Sequence, residues 1–150
     1  MLDIYADGAC IPNPGVGGWG IVAYQNGQEI WTQVGGDMDA TNNRMEMKAI
    51  IEALRLAAGQ PCFIYSDSQL CVSTLTMWAE SWRRNGWVKK TPGPIKNLDL
   101  VKEGYALYCQ SKAKIIWVKG HSGVRGNERA DALAAEGRAS IINSRTKEVA

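Results

Sequence analysis

The chain has 150 residues, 45% of them hydrophobic and 21% charged, with a formal net charge of +2. Those values suit one domain with a sizeable core and exclude disordered, collagen-like and disulfide-scaffold classes. Met1-Leu2-Asp3-Ile4 is no basic-then-apolar leader, and the most apolar helical stretch, residues 49–58, is interrupted by Glu52 and Arg55, so neither signal peptide nor membrane span is expected. Cys10, Cys62, Cys71 and Cys109 form no C-x-x-C pair, which argues against zinc and for a reducing, cytoplasmic setting.

In chain order, residues 2–7, 18–25 and 28–35 read as strands, the last two joined by Asn26-Gly27, a strong hairpin signal. From 44 to 58 the spacing turns helical: Ile50, Ala53, Leu54 and Ala57 share a face and Gly59 stops it. The next strand, 62–66, can lie parallel to the first because this helix supplies the crossover. Helices are expected at 69–80 and 97–111 on either side of a basic, Gly- and Pro-punctuated segment. A strand at 114–119 and a helix at 128–138 follow, and the polar residues 140–150 read as a disordered tail.

Ile4-Tyr5-Ala6-Asp7 and Ile64-Tyr65-Ser66-Asp67 end alike. As parallel neighbours in register they would bring the two carboxylates to about 5 Å, the spacing between strands. Bare charges that close repel by about 3 kcal/mol at an effective dielectric of 20, so a divalent metal is expected between them. Alone, each aspartate reads as the start of a turn; the matched context makes them a site. Glu46 has an ordinary explanation in a capping box with Asn43, yet it also heads the apolar stripe of its helix and points inward. A buried carboxylate needs a partner, and no base lies nearby in sequence. Asp131 opens the last helix, where the positive end of the helix dipole favours it. Before it, Gly120 to Glu128 form a Gly-rich loop with the only histidine, His121, offered as a proton shuttle.

Arg83, Arg84, Lys89, Lys90 and Lys96 crowd residues 81–98 without an acid, leaving the rest of the chain net negative. Such a local cluster fits contact with a polyanion. Trp78 and Trp82 share a helical face, and Trp87 follows. Tryptophans four apart usually bury a helix, and here they are expected both to anchor a protruding handle and to line it for substrate.

Asp7-Gly8-Ala9-Cys10, Asn13-Pro14-Gly15, Thr41 through Glu46, Ser66-Asp67-Ser68 and Val118 through Asp131 together resemble type 1 ribonuclease H, in order and at fitting spacing over residues 1–138. The resemblance implies an α/β ribonuclease H-like fold, a five-stranded mixed sheet with three antiparallel strands plus parallel ones, flanked by helices. Residues 1–139 would form the catalytic domain. Asp7, Glu46, Asp67 and Asp131 would be the metal-binding carboxylates, Asp7 bridging two ions, with His121 assisting proton movement or product release. Asn13, Asn42 and Gln69 match minor-groove contacts, and Thr41 and Asn97 match a pocket for a DNA-strand phosphate. Ala9 departs from the family, where a hydroxyl-bearing residue is common, so that side-chain contact is not expected. The handle favours a free-standing enzyme, and no separate hybrid-binding module is expected.

Hard oxygen ligands without cysteine or clustered histidine select Mg2+, with Mn2+ as a substitute. The expected activity is two-metal-ion hydrolysis of the RNA strand of an RNA–DNA hybrid by a monomer, leaving 5′-phosphate and 3′-hydroxyl ends. Two other readings stand beside it: a resolvase- or transposase-like DNA nuclease of the same fold, and a non-catalytic hybrid-binding protein. The first would prefer all-DNA substrates, and the second would lack a carboxylate.

Overall fold

The computed structural model describes residues 1–149, with side chains through residue 144. Five strands form one sheet in the order β3-β2-β1-β4-β5. They are β1 (Leu2–Cys10), β2 (Gly15–Gln25), β3 (Gln28–Ala40), β4 (Cys62–Ser66) and β5 (Ala113–Trp117). β1, β2 and β3 pair antiparallel, while β1–β4 and β4–β5 are parallel. Asn26 and Gly27 turn between β2 and β3 with φ of +53° and +77°, the left-handed pair that a two-residue hairpin demands.

Helix α1 (Asn42–Ala57) crosses from β3 to β4 and packs one face of the sheet, where Ile50, Ile51 and Leu54 meet Ile4, Ile21 and Ile64. The other face is covered by α5 (Arg125–Val149), whose Ala130 and Leu133 bury Val22 and Tyr24. Between β4 and β5 run α2 (Gln69–Ser73), a π-helical turn (Thr74–Trp78), α3 (Ala79–Arg84) and α4 (Leu98–Gln110). Thr74 and Thr76 donate their hydroxyls back to the carbonyls of Leu70 and Val72, both at 2.7 Å, a bonding pattern that accompanies bent helices.

Several boundaries differ from the sequence expectation for physical reasons. β1 does not stop at Asp7: its pairing with β4 ends at Ala6–Ser66, but β2 carries it antiparallel to Cys10. The helix after β4 continues through the π turn to Arg84. The α1 cap is Thr41 rather than Asn43. Thr41 is still extended, with φ −131° and ψ 162°, and its Oγ1 accepts the Arg44 amide at 3.1 Å. Glu46 is therefore free of capping duty. β5 ends at Trp117 because its partner β4 ends at Ser66; the Val118 amide makes the last rung, to the Ser66 carbonyl at 2.9 Å. Finally, the segment from Ser140, read as a disordered tail, continues α5 through Val149. Residues 138–149 contain neither Gly nor Pro to stop a helix, and Ile141 reaches Gly36 on β3. Ala150 lies outside the described residues.

Candidate active site

The parallel register Tyr5–Tyr65 and Ala6–Ser66 delivers Asp7 and Asp67 side by side, as the matched endings require. Asp7 is buried, and the Gly8 amide donates to its Oδ1 at 2.9 Å. Glu46 joins from the first turns of α1. Ligand atoms of Asp7, Glu46 and Asp67 all lie within 4.8 Å of one another, the tight acidic group among the described residues. Asp131, on α5, lines the same depression of about 410 Å³ and presses on the Asp7 carboxyl.

Crowding shows in the protonation of the cluster. Burial, reinforced by the Asp67 charge and by Asp131, pushes the Asp7 carboxyl up from 3.8 to about 8. Glu46 also rises well above its ordinary value, mainly through burial and then through Asp7. Its Oε2 is buried with no hydrogen-bond partner. An orphaned carboxylate oxygen is costly unless a cation meets it. The three hard oxygen donors of Asp7, Glu46 and Asp67 fit a divalent ion of the magnesium or calcium kind. The Cys10 thiol also lines the depression but is turned to the Pro12 and Ala40 carbonyls, and His121 is the chain's one imidazole, so the set does not favour zinc.

His121 is exposed on the loop before α5, with φ of +53°, and lines the depression with the carboxylates. Sequence reasoning gave no role to Asn127. It is 3% exposed, and its Nδ2 donates to Asp67 Oδ2 across a long 3.4 Å. The signal was present: Asn127 and Asp131 stand four apart on α5, which places them on one face.

The expected substrate contacts fall into three groups. Asn42 lines the depression, its amide donates to Asn13 Oδ1 at 3.2 Å, and its own Oδ1 accepts the Cys10 amide at 2.7 Å. Gln69 is exposed in the first turn of α2, beside the capping Ser68. Thr41 and Asn97 are brought together through Arg44, another residue not singled out. Its amide goes to Thr41 and its guanidinium to Asn97 Oδ1 at 3.3 Å, with Asp99 paired at 2.9 Å.

The handle divides. Trp78, Trp82, Lys89, Lys90 and Asn97 line a groove of about 600 Å³ that meets the acidic depression at Asn43, with the two indoles 6.2 Å apart. Trp87 is not among its walls; it packs edge-on against Tyr105 with Lys102 over its ring, so its part is to fold the handle back onto α4. Arg83 and Arg84 also stand outside the groove, exposed on α3, with Arg84 paired to Glu80 at 2.8 Å.

A five-stranded mixed sheet with carboxylates gathered at the end of its parallel pair defines the ribonuclease H-like class of α/β proteins. Residues 1–139 match the RNase H family. The chain is 46% identical over 140 residues to ribonuclease H of Janthinobacterium sp. (strain Marseille), covering 91% of this chain and 94% of that one. With ribonuclease H of Cupriavidus pinatubonensis (strain JMP 134 / LMG 1197) it shares 48% over 144 residues, covering 93% and 97%. The solved structure of LC9-RNase H1, described as a type 1 RNase H with the type 2 active-site motif, superposes with a TM-score of 0.81 at 29% identity, over 93% of this chain and 72% of that one. The RNase H domain of the foamy virus PFV matches at 0.81 and 22% identity over 93% and 94%, a likeness of fold alone. The chain belongs to the ribonuclease H family, whose members are metal-dependent endoribonucleases.

Proposed function

We propose that the protein hydrolyses the RNA strand of RNA–DNA hybrids with Mg2+, leaving 5′-phosphate and 3′-hydroxyl ends. The observation that carries the reading is the cluster of Asp7, Glu46 and Asp67, with ligand oxygens within 4.8 Å of one another and Glu46 Oε2 buried without a hydrogen-bond partner, a donor set suited to a hard cation. Asp7, Glu46, Asp67 and Asp131 would hold two ions, which when bound would supply Lewis acidity and a nucleophilic water for displacement at phosphorus. Asn127 orients Asp67 through its amide. His121, on an exposed loop, moves a proton at the departing 3′ oxygen or helps the product leave. Asn13, Asn42 and Gln69 meet the 2′-hydroxyls that the shallow minor groove of the hybrid displays, the feature that separates RNA from DNA. Thr41 and Asn97 hold a DNA-strand phosphate, with Arg44 fixing their spacing. Trp78 and Trp82 line the groove for the DNA strand, and Lys89, Lys90 and Lys96 on its walls supply most of its phosphate attraction, with Arg83 and Arg84 adding to it from outside.

One chain carries all four carboxylates, which supports a monomer. Its four cysteines are free, which suits the reducing cytoplasm. Among the described residues no helix is long and apolar enough to cross a membrane.

Asp7→Asn tests the site. It should abolish cleavage of a hybrid while leaving hybrid binding within about threefold, because the substitution keeps the shape and removes a metal ligand. Retained magnesium-dependent turnover would overturn the assignment.

A further inference from the structure

Arg138 stands on α5 away from the carboxylates, and its side chain leaves the helix for the loop between β1 and β2. Its Nε donates to the Val16 carbonyl at 3.1 Å, and its Nη2 donates to the Ile11 carbonyl. Those two carbonyls bracket the segment that carries Asn13. A planar guanidinium presents several donors at fixed angles and can hold two acceptors at a set separation.

Close backbone contact fixes the root of that side chain. A Cβ on Gly18 of β2 would stand 2.2 Å from both the Ala134 carbonyl oxygen and the Arg138 amide nitrogen. One on Gly137 would stand 2.2 Å from the Gly35 carbonyl. Here α5 rests directly on β2 and β3, with no side chain between to cushion a shift.

On its far side the loop is tied through side-chain amides. The Asn42 amide donates to Asn13 Oδ1, and the Cys10 amide donates to Asn42 Oδ1. Residues 11–14 are all exposed and gain little from packing. The guanidinium, the two asparagines and the Cys10 thiol, which donates to the Pro12 carbonyl at 3.2 Å, hold the loop, and of these the guanidinium alone reaches it from α5.

We propose that Arg138 is a positioning residue for substrate recognition, holding the β1–β2 loop so that Asn13 and Asn42 meet the RNA minor groove together. This rests on the reading of those asparagines as minor-groove contacts.

The test combines amide hydrogen exchange with steady-state kinetics on a short RNA–DNA hybrid, for the wild type, Arg138→Ala, Asn13→Ala and the double variant. In Arg138→Ala the Asn42 amide should exchange about tenfold faster while core amides such as Ile4 and Ile64 keep their protection. KM should rise about fivefold with kcat within about twofold, and the double variant should be no worse than Asn13→Ala alone. The salt dependence of KM should stay as in the wild type, since a direct phosphate contact would lower its slope by about one. Unchanged Asn42 exchange, unchanged KM, multiplied penalties or a reduced slope would each overturn the proposal. Arg138→Gln, which keeps the stem and one donor group, takes the same measurements if the alanine variant does not fold. A wild type that cuts no hybrid overturns the functional reading instead, a result distinct from a wild type that cuts hybrid beside an Arg138→Ala variant that behaves like it.

Discussion

Gly8 and Glu46 are in backbone contact: a Cβ on Gly8 would lie 2.4 Å from the Glu46 amide nitrogen and 2.3 Å from the Met45 carbonyl carbon. The start of α1 can therefore press onto β1 beside Asp7, and Glu46 reaches the cluster from a helix rather than from a third strand. Gly8→Ala should push α1 outward, lowering kcat by at least about 100-fold, since misplacing a catalytic group by about 1 Å costs that much. It should also destabilise the fold by about 2–4 kcal/mol, through strain against backbone that cannot move aside. Thermal unfolding and initial rates check both; an active variant of wild-type stability would refute the contact's role.

Metal and pH act on the same carboxylates. Burial raises Asp7 from 3.8 to about 8 and raises Glu46 as well, so the metal-free native state binds protons that the unfolded chain releases. The stability tied to those protons is fully present below about pH 4 and is lost as pH climbs toward about 8. The chelated protein should accordingly lose several degrees of Tm between about pH 5 and about pH 8. Added Mg2+ should restore more at the higher pH than at the lower, because an ion competes with protons for the oxygens. Calorimetry in chelator and in magnesium decides, and a magnesium effect independent of pH would contradict the linkage.

Asn127 touches the site through Asp67 alone among the hydrogen bonds described. Removing a partner that orients a metal ligand typically costs about 10- to 100-fold in metal affinity or activity. Asn127→Ala should raise the magnesium concentration for half-maximal rate about tenfold, with the rate recovering at high magnesium. An unchanged magnesium curve would make Asn127 a packing residue only.

In the handle, Lys89 and Lys90 line the groove while Arg84 is already paired with Glu80. Alanine at both lysines should raise KM for hybrid and flatten its salt dependence by about 0.9 for each phosphate no longer neutralised, with kcat nearly unchanged. Alanine at Arg84 should do less. Equal effects would mean the groove is not where the phosphates lie.

The twin Ile-Tyr-x-Asp endings were readable from sequence because strand register is a local pattern, and the helix after Thr41 supplied the crossover that makes them parallel. Glu46 was legible as an inward carboxylate once it fell on the apolar stripe of α1. Less visible were features set by tertiary contact. The extension of β1 past Asp7 depends on pairing with β2, and Thr41 replaced Asn43 as the cap because the chain leaves β3 extended. Arg44 and Asn127 take their meaning from partners 53 and 60 residues away, Asn97 and Asp67. Trp87, expected in the substrate groove, packs on Tyr105, an aromatic neighbour supplied by α4. Polar composition misled at the C-terminus, where no glycine or proline interrupts α5 beyond Gly137.

Strand-labelled digestion of matched RNA–DNA, RNA–RNA and DNA–DNA duplexes, with magnesium and with chelator, puts the hybrid-specific, metal-dependent activity to its sharpest trial. Cleavage confined to the RNA strand of the hybrid, dependent on magnesium and leaving 5′-phosphate ends, is the predicted result. Faster cutting of the all-DNA duplex, or hybrid cleavage that persists in chelator, would contradict it.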